Sequence, residues 1–341
     1  MKRVLGVFVF GLMLGIPAVG ARSLEIYFID VEGGESTLVV TPAGESMLID
    51  TGYAGREGRD PDRIMAAIQD AGLQKIDYLL ITHFHPDHAG GVPELASRIS
   101  IGTFIDYGGP LGTPYGADRM TTRTFAAYEA VRAEHSHLRP EPGERLPLKG
   151  VDVNVVSAGA VMLKEPLPGA GQLNEACARV EDQGADGTEN YRSLGVLFQL
   201  GAFRFLDLGD LSGDTLATLV CPRNLVGQTS VYLVAHHGDY DTNVPAVYAA
   251  IRPRVAVMNN GAVKGGSREA LMTLHGLHGL EDLWQLHASS NGRAQNSPEA
   301  FIANIDGSAD GNWLKLTAND DGSFRIVNGR TGFAKSYSPA P

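Results

Sequence analysis

Thr82-His83-Phe84-His85-Pro86-Asp87-His88 places three imidazoles and a carboxylate within six residues. His83 and His85 fall on one side of an extended segment, Pro86 ends it, and Asp87 and His88 open the next turn. Imidazoles and carboxylates together suit zinc, as one or two ions, and also manganese or iron. His236-His237-Gly238 forms a second group, and Asp210, in Leu206-Asp207-Leu208-Gly209-Asp210, can bridge two metals. A cation held by such side chains lowers the pKa of its water from about 15.7 to about 7, which gives hydroxide at neutral pH. That hydroxide attacks a carbonyl carbon or a phosphorus, and Asp87 is placed to hold the water and accept its proton. The chemistry these residues carry is hydrolysis.

Each group follows a segment that reads as a strand. Residues 76–82 are a mostly apolar run that feeds His83, residues 231–235 feed His236, residues 203–207 precede Asp210, and residues 46–50 end in Asp50. Sites of open α/β sheets lie beyond strand ends in this way. Asp50 reads either as a residue that orients a ligand histidine or as the former of an Asx-turn. Further strands are predicted over 24–30, 36–40, 100–107, 151–156, 191–200, 254–258 and 283–286. Helices are predicted from Asp60, as N-cap ahead of Pro61, to 71, and over 122–134, 215–220 and 267–274. Residues 313–317, 324–327 and 332–337 read as a polar antiparallel meander with an Asp321-Gly322 turn. His135 and His137 read as solvent-exposed, His275 and His278 near a helix end carry no pairing signal, and His287, at the end of a strand, reads as a surface histidine or as one that reaches the pocket. Strands alternate with helices, so the fold class is α/β, with helices covering stacked sheets. No linker divides the chain, and residues 22–341 read as one domain.

The 341 residues are 43% hydrophobic and 20% charged, which excludes collagen-like, coiled-coil and disordered chains. A formal charge of −11 argues against a bulk binder of nucleic acid or anionic membrane, though not against a local basic pocket. Residues 1–21 read as a signal peptide: Lys2 and Arg3, an apolar stretch, then Val19-Gly20-Ala21 as a cleavage site. The mature protein is then periplasmic or secreted, without stable membrane association after cleavage. In an oxidising compartment Cys177 and Cys221 are expected to pair and pin the Gly/Pro-rich stretch 157–190 to the body. Lys264, in Lys264-Gly265-Gly266-Ser267, can hold an anion near a helix start; the alternative is a plain turn capped by Ser267. Nothing in the sequence reports oligomeric state.

His83-x-His85-x-Asp87-His88, with Asp50, Asp210 and His236, resembles the metallo-β-lactamase superfamily, over nearly the whole mature chain. The segments Phe28-Ile29-Asp30-Val31-Glu32-Gly33-Gly34-Glu35-Ser36, Leu48-Ile49-Asp50-Thr51-Gly52, Asn190-Tyr191-Arg192-Ser193 and His236-His237-Gly238 are similar to the hydrolase domain of ComEC-type DNA-uptake (competence) proteins. The resemblance implies an αβ/βα four-layer sandwich with metals at one edge between two sheets. It implies His83 and His85 on the first metal, Asp87, His88 and His236 on the second, and Asp210 between them. His237 is then left to support the site or touch substrate, and the sequence leaves open which of the pair ligates. Most of the superfamily has a further histidine upstream of the bridging Asp; Asn190 and Ser193 occupy that region here. The implied function is hydrolysis of a phosphodiester, with a lactone or β-lactam as the alternative, or a metal-retaining binding protein without turnover.

Overall fold

The structure, a computed structural model, describes residues 23–110, 118–179, 187–291, 295–305 and 310–340. The predicted signal peptide lies outside the described residues. The chain opens with six strands that lie side by side in order: β1 (Leu24–Phe28), β2 (Thr37–Val40), β3 (Ser46–Ile49), β4 (Ile76–Leu80), β5 (Ile101–Ile105) and β6 (Ser136–Leu138). A second sheet follows: β7 (Arg145–Leu146), β8 (Asp152–Ala158), with β9 (Val161–Met162) beside it, β10 (Gly195–Leu200), β11 (Phe203–Asp207), β12 (Val231–Leu233), β13 (Val255–Met258), β14 (Asp282–His287) and β15 (Ile302–Asn304). The last strands, β16 (Leu314–Ala318), β17 (Phe324–Asn328) and β18 (Ala334–Tyr337), return to the first sheet and pair antiparallel beyond β1. They form the antiparallel meander the sequence suggested, but it is not polar throughout. Leu314, Leu316, Phe324, Ile326 and Tyr337 are buried, because the outer edge of the first sheet still packs on the common core.

Alternation within the strands sets the layers. Val231, Leu233, Val255 and Val257 face the core between the sheets, whereas Tyr232, Ala256 and Met258 face the helices behind. Phe28 of β1 meets Phe205 of β11 edge-on at 5.7 Å, which ties sheet to sheet. α1 (Arg59–Asp70), α2 (Pro86–Ala89), α3 (Val92–Ala96) and α4 (Arg119–Arg132) accompany the first sheet, and α5 (Gly213–Thr218), α6 (Pro245–Ile251) and α7 (Arg268–His275) the second. Buried Ile64, Ala67 and Ile68 form the inner stripe of α1. This helix begins one residue before the predicted cap. Gly58, in the left-handed region, precedes it, and the Asp60 carboxylate instead accepts from Tyr53 N–H at 2.8 Å and pairs with Arg59. The result is a mixed α/β four-layer sandwich. β11 to β15 run parallel, so their carboxyl ends share one edge with that of β4.

Candidate metal centre

That edge gathers the acid and histidine groups. β4 leads into His83, and Pro86 starts α2, which carries Asp87 and His88 inward. Gly34 lies so close to α2 that a Cβ there would sit 2.4 Å from the Asp87 carbonyl oxygen. After β11, Gly209 gives the turn that aims Asp210 back at the histidines. After β12 the chain passes through two consecutive left-handed residues, His236 (φ 48°) and His237 (φ 56°). Such strained backbone in non-glycine residues persists where surrounding structure holds it.

Asp87, His88, Asp210 and His237 are all buried and offer ligand atoms within 4.8 Å of one another. His88 Nε2 lies 3.1 Å from Asp210 Oδ2 and 3.3 Å from Asp87 Oδ2; His237 Nε2 lies 3.3 Å from Asp210 Oδ1 and 3.4 Å from Asp87 Oδ2. A second group, His83, His85 and Asp210, shares the same aspartate. Asp210 Oδ2 is 3.7 Å from His83 Nε2, and His83 Nε2 is 2.9 Å from His85 Nδ1. Asp210 thus stands between two donor sets.

This arrangement corrects the expectation that His236 joins Asp87 and His88. His237 does so, because the double left-handed turn breaks the strand's alternation and swings the second histidine inward. His236 Nε2 instead lies 3.8 Å from Asp210 Oδ2 and 3.3 Å from Asn190 Nδ2, on the side of the His83 group, and its Nδ1 bonds Asp241 at 2.8 Å. Asn190 therefore borders the donor set that lacks the superfamily's additional histidine. Ser193 Oγ accepts from Asp210 N–H at 3.2 Å. Asp50 is fully buried; its Oδ2 accepts from His88 Nδ1 at 2.6 Å and from Thr82 Oγ1 at 2.5 Å, and its Oδ1 from Thr82 N–H at 2.8 Å. Such a bond fixes the His88 tautomer and leaves Nε2 as the donor to a cation.

The donors fit a metal. His88 Nε2, His237 Nε2 and Asp210 Oδ1 are buried and have no hydrogen-bond partner among the described residues, although they face one another. Unpaired polar atoms in that number are costly in a dry interior, and a bound cation would satisfy them together. Proton equilibria point the same way. Burial alone would raise the carboxyls of Asp87 and Asp210, yet His88 and Lys264 hold Asp87, and His237, His88 and His236 hold Asp210, well below the usual carboxylate range. Burial opposes charge on His88, but Asp210, Asp87 and Asp50 outweigh it and hold its imidazole well above the ordinary value. Without a cation, a proton takes up the negative field of the site. Burial, and then His88, push His83 well below its ordinary value, which leaves it neutral for ligation.

Lys264 lies on the loop after β13. Its ammonium contacts the Asp87 carboxylate and sits 5.8 Å above the Tyr53 ring. Ser267 caps α7 by accepting from Ala270 N–H, so the Lys264 side chain is free of that role. Burial would lower its pKa, but Asp87 outweighs burial and pushes it up to about 12. Sequence reasoning missed Glu35 and Asp207, buried beside Asp50 and His88. Burial, then Asp207 and Asp50, push Glu35 well above the carboxylate range, and burial pushes Asp207 up to about 6. Their only sequence signal was position: an acid in each of the two segments that flank a ligand loop. His287 is a further correction. It is buried, not superficial, with Nε2 2.7 Å from Asp30 Oδ1. Cys177 and Cys221 are bonded, with Cα atoms 5.7 Å apart.

Residues 29–172 match the profile of the metallo-β-lactamase superfamily, a stretch that contains Asp50 and the His83–His88 ligands. That match, with the mixed α/β fold and the donor sets above, supports a metal-dependent hydrolase. An atrochrysone carboxyl ACP thioesterase of Aspergillus terreus is 37% identical over 62 residues, 18% of this chain, and the chain spans 18% of that relative's length. Among solved structures, the diiron β-hydroxylase CmlA of Streptomyces venezuelae is similar at 13% identity and TM-score 0.45, over 78% of this chain and 53% of its own. A metallo hydrolase of Ignicoccus hospitalis is similar at 13% identity and TM-score 0.43, over 76% of this chain and 94% of its own. Among the described residues no helix is long and apolar enough to cross a membrane.

Proposed function

We propose that this superfamily hydrolase is exported and cleaves a phosphodiester, holding zinc, or manganese or iron, on His83, His85, Asp87, His88, Asp210 and His237. The observation that carries the substrate class is Lys264: a cation placed on Asp87, at the rim of the donor set, faces any group that approaches the metals. When bound, the metal supplies a nucleophilic water at neutral pH and stabilises charge on the substrate. Lys264 then binds a non-bridging phosphate oxygen, Asp87 orients the water and takes its proton, and Asp50 keeps His88 in the tautomer that ligates. A phosphodiester passes through a transition state with more negative charge than an ester does, so it gains more from a fixed ammonium. The competence-type similarity around Asn190 and Ser193 supports the same reading. The Cys177–Cys221 bond supports export, with residues 1–21 as the leader. A carbonyl substrate is the second reading, favoured by the 62-residue match to a thioesterase.

The test is turnover of bis-p-nitrophenyl phosphate beside a lactone and a β-lactam, with added zinc or manganese. Phosphodiester turnover is expected, and Lys264→Ala should reduce it by roughly 10²-fold, as the loss of one preorganised donor does elsewhere. Metal content should hold, since the substitution removes a positive charge beside the cation. Good lactone or β-lactam turnover without phosphodiester turnover overturns the substrate class. Bound metal with no turnover of any probe identifies a binding protein instead.

A further inference from the structure

The opposite end of the second sheet carries a cavity of about 1080 Å³. Its wall includes Arg204 at the start of β11, Arg254 ahead of β13, and Arg252. Arg204 lies near the start of β11 and Asp210 beyond its far end, so strand rise from Arg204 to Asp207 alone puts roughly 10 Å between the cavity and the metal centre. On a chain with a formal charge of −11, three arginines face this space against two acids, Glu175 and Glu281. Glu281 is committed to Arg254, which it bonds at 2.6 and 2.8 Å.

We propose that this cavity is a second binding site, separate from the metal centre, for a small organic carboxylate held by Arg204. The Arg204 guanidinium donates from Nη2 to the Val226 carbonyl at 2.6 Å, while its Nε is buried and donates to nothing among the described residues. No carboxylate pairs with it among the described residues, and only burial acts on its charge, lowering its pKa. A guanidinium is a planar fork that matches a carboxylate, and a half-buried one without an acid is an open half of that pair. The residual charge of the wall, one positive, suits a monoanion. Leu173, Ala202 and Ala249 give the same cavity an apolar side for the body of such a ligand.

The site is built rather than incidental. Gly171 N–H donates to the Asn224 carbonyl at 2.7 Å, and Asn224 N–H to the Gln172 carbonyl at 2.9 Å. Leu173 and Arg223 form an antiparallel bridge, and the Cys177–Cys221 bond closes the far end of this strap. Together they hold the 169–176 wall against the sheet.

Calorimetric titration of the metal-loaded protein with benzoate tests the site, with inorganic phosphate as the contrast. Benzoate should bind, Arg204→Met should weaken it roughly 10- to 100-fold, as expected for a lost charged hydrogen bond, and Asp210→Ala should leave it unchanged. The exposed Arg252→Ala, which spares the fold, should weaken it about threefold. Cys177→Ser should also weaken binding, by loosening the wall. The proposal is overturned if benzoate binds Arg204→Met as it binds the parent, if binding vanishes with Asp210→Ala, or if phosphate alone binds. Absence of heat at about 10 mM benzoate, where a millimolar site would be filled, overturns it as well.

Discussion

Two buried clusters near this edge are built from the same residue types and do different things. Asp87, His88, Asp210 and His237 form one; Asp30, Glu32 and His287, with Arg63, form the other. Both gather carboxylates and imidazole within ligand distance, and both join segments of the two sheets. In the second cluster every carboxylate finds a donor. Asp30 Oδ1 accepts from His287 Nε2 at 2.7 Å and from Glu32 N–H at 2.8 Å, and Asp30 Oδ2 accepts from Arg63 Nη1 at 2.8 Å. In the first, His88 Nε2, His237 Nε2 and Asp210 Oδ1 remain buried without hydrogen-bond partners among the described residues. Arg63 fills the place that a metal would need. Residue type alone does not make a metal site; what distinguishes it is a set of convergent donors that the chain itself leaves unsatisfied.

The contrast breaks most sharply at the shared aspartate. Asp210→Ala removes a ligand from both donor sets, so elemental analysis should show loss of metal from both. Turnover should fall by roughly 10³-fold or more, because several kcal/mol of charge stabilisation depend on the ions. Retention of full metal content would mean that Asp210 does not bridge. The paired cluster should respond in the opposite way. Arg63→Ala leaves the Asp30 carboxylate buried beside Glu32 without its cation, which typically costs about 3–5 kcal/mol. Chemical denaturation should show that loss while metal content per folded molecule holds. If Arg63→Ala instead gains a metal ion at Asp30, Glu32 and His287, the distinction drawn between the clusters is one of a single side chain.

Most of the fold was legible because its strands are apolar runs that end in punctuation. Residues 76–82 and 231–235 gave β4 and β12 to within two residues, and the helix predicted to end at 71 ends at Asp70. Short or uniformly apolar elements were not legible. β15 has three residues, and α6 is buried on nearly every side, so neither shows a period. The His83–His88 ligands could be read because they are contiguous. Glu35, Asp207 and His287 could not, since their roles depend on contacts with Asp50 and Asp30 that lie far along the chain. The exchange of His236 for His237 has a local cause. Alternation predicts which side chain points inward only while the backbone stays extended, and here two residues leave the extended region together.

That exchange gives the smallest and most discriminating effect. His237 is fully buried between Asp87 and Asp210, whereas His236 keeps 16% of its side-chain surface exposed and is already held by Asp241. His237→Ala should therefore remove one ligand of the second set and lower metal affinity by at least the 10- to 100-fold that supporting residues typically contribute. His236→Ala should cost about tenfold or less, and should act on the His83 set, since its Nε2 faces Asp210 Oδ2 from that side. Competition with a chromogenic chelator measures both, and a cobalt-substituted protein reports which set has changed through its visible spectrum. If His236→Ala empties the Asp87–His88 set while His237→Ala does not, the turn at 236–237 is wound the other way in the metal-loaded protein, and His236 is the ligand after all.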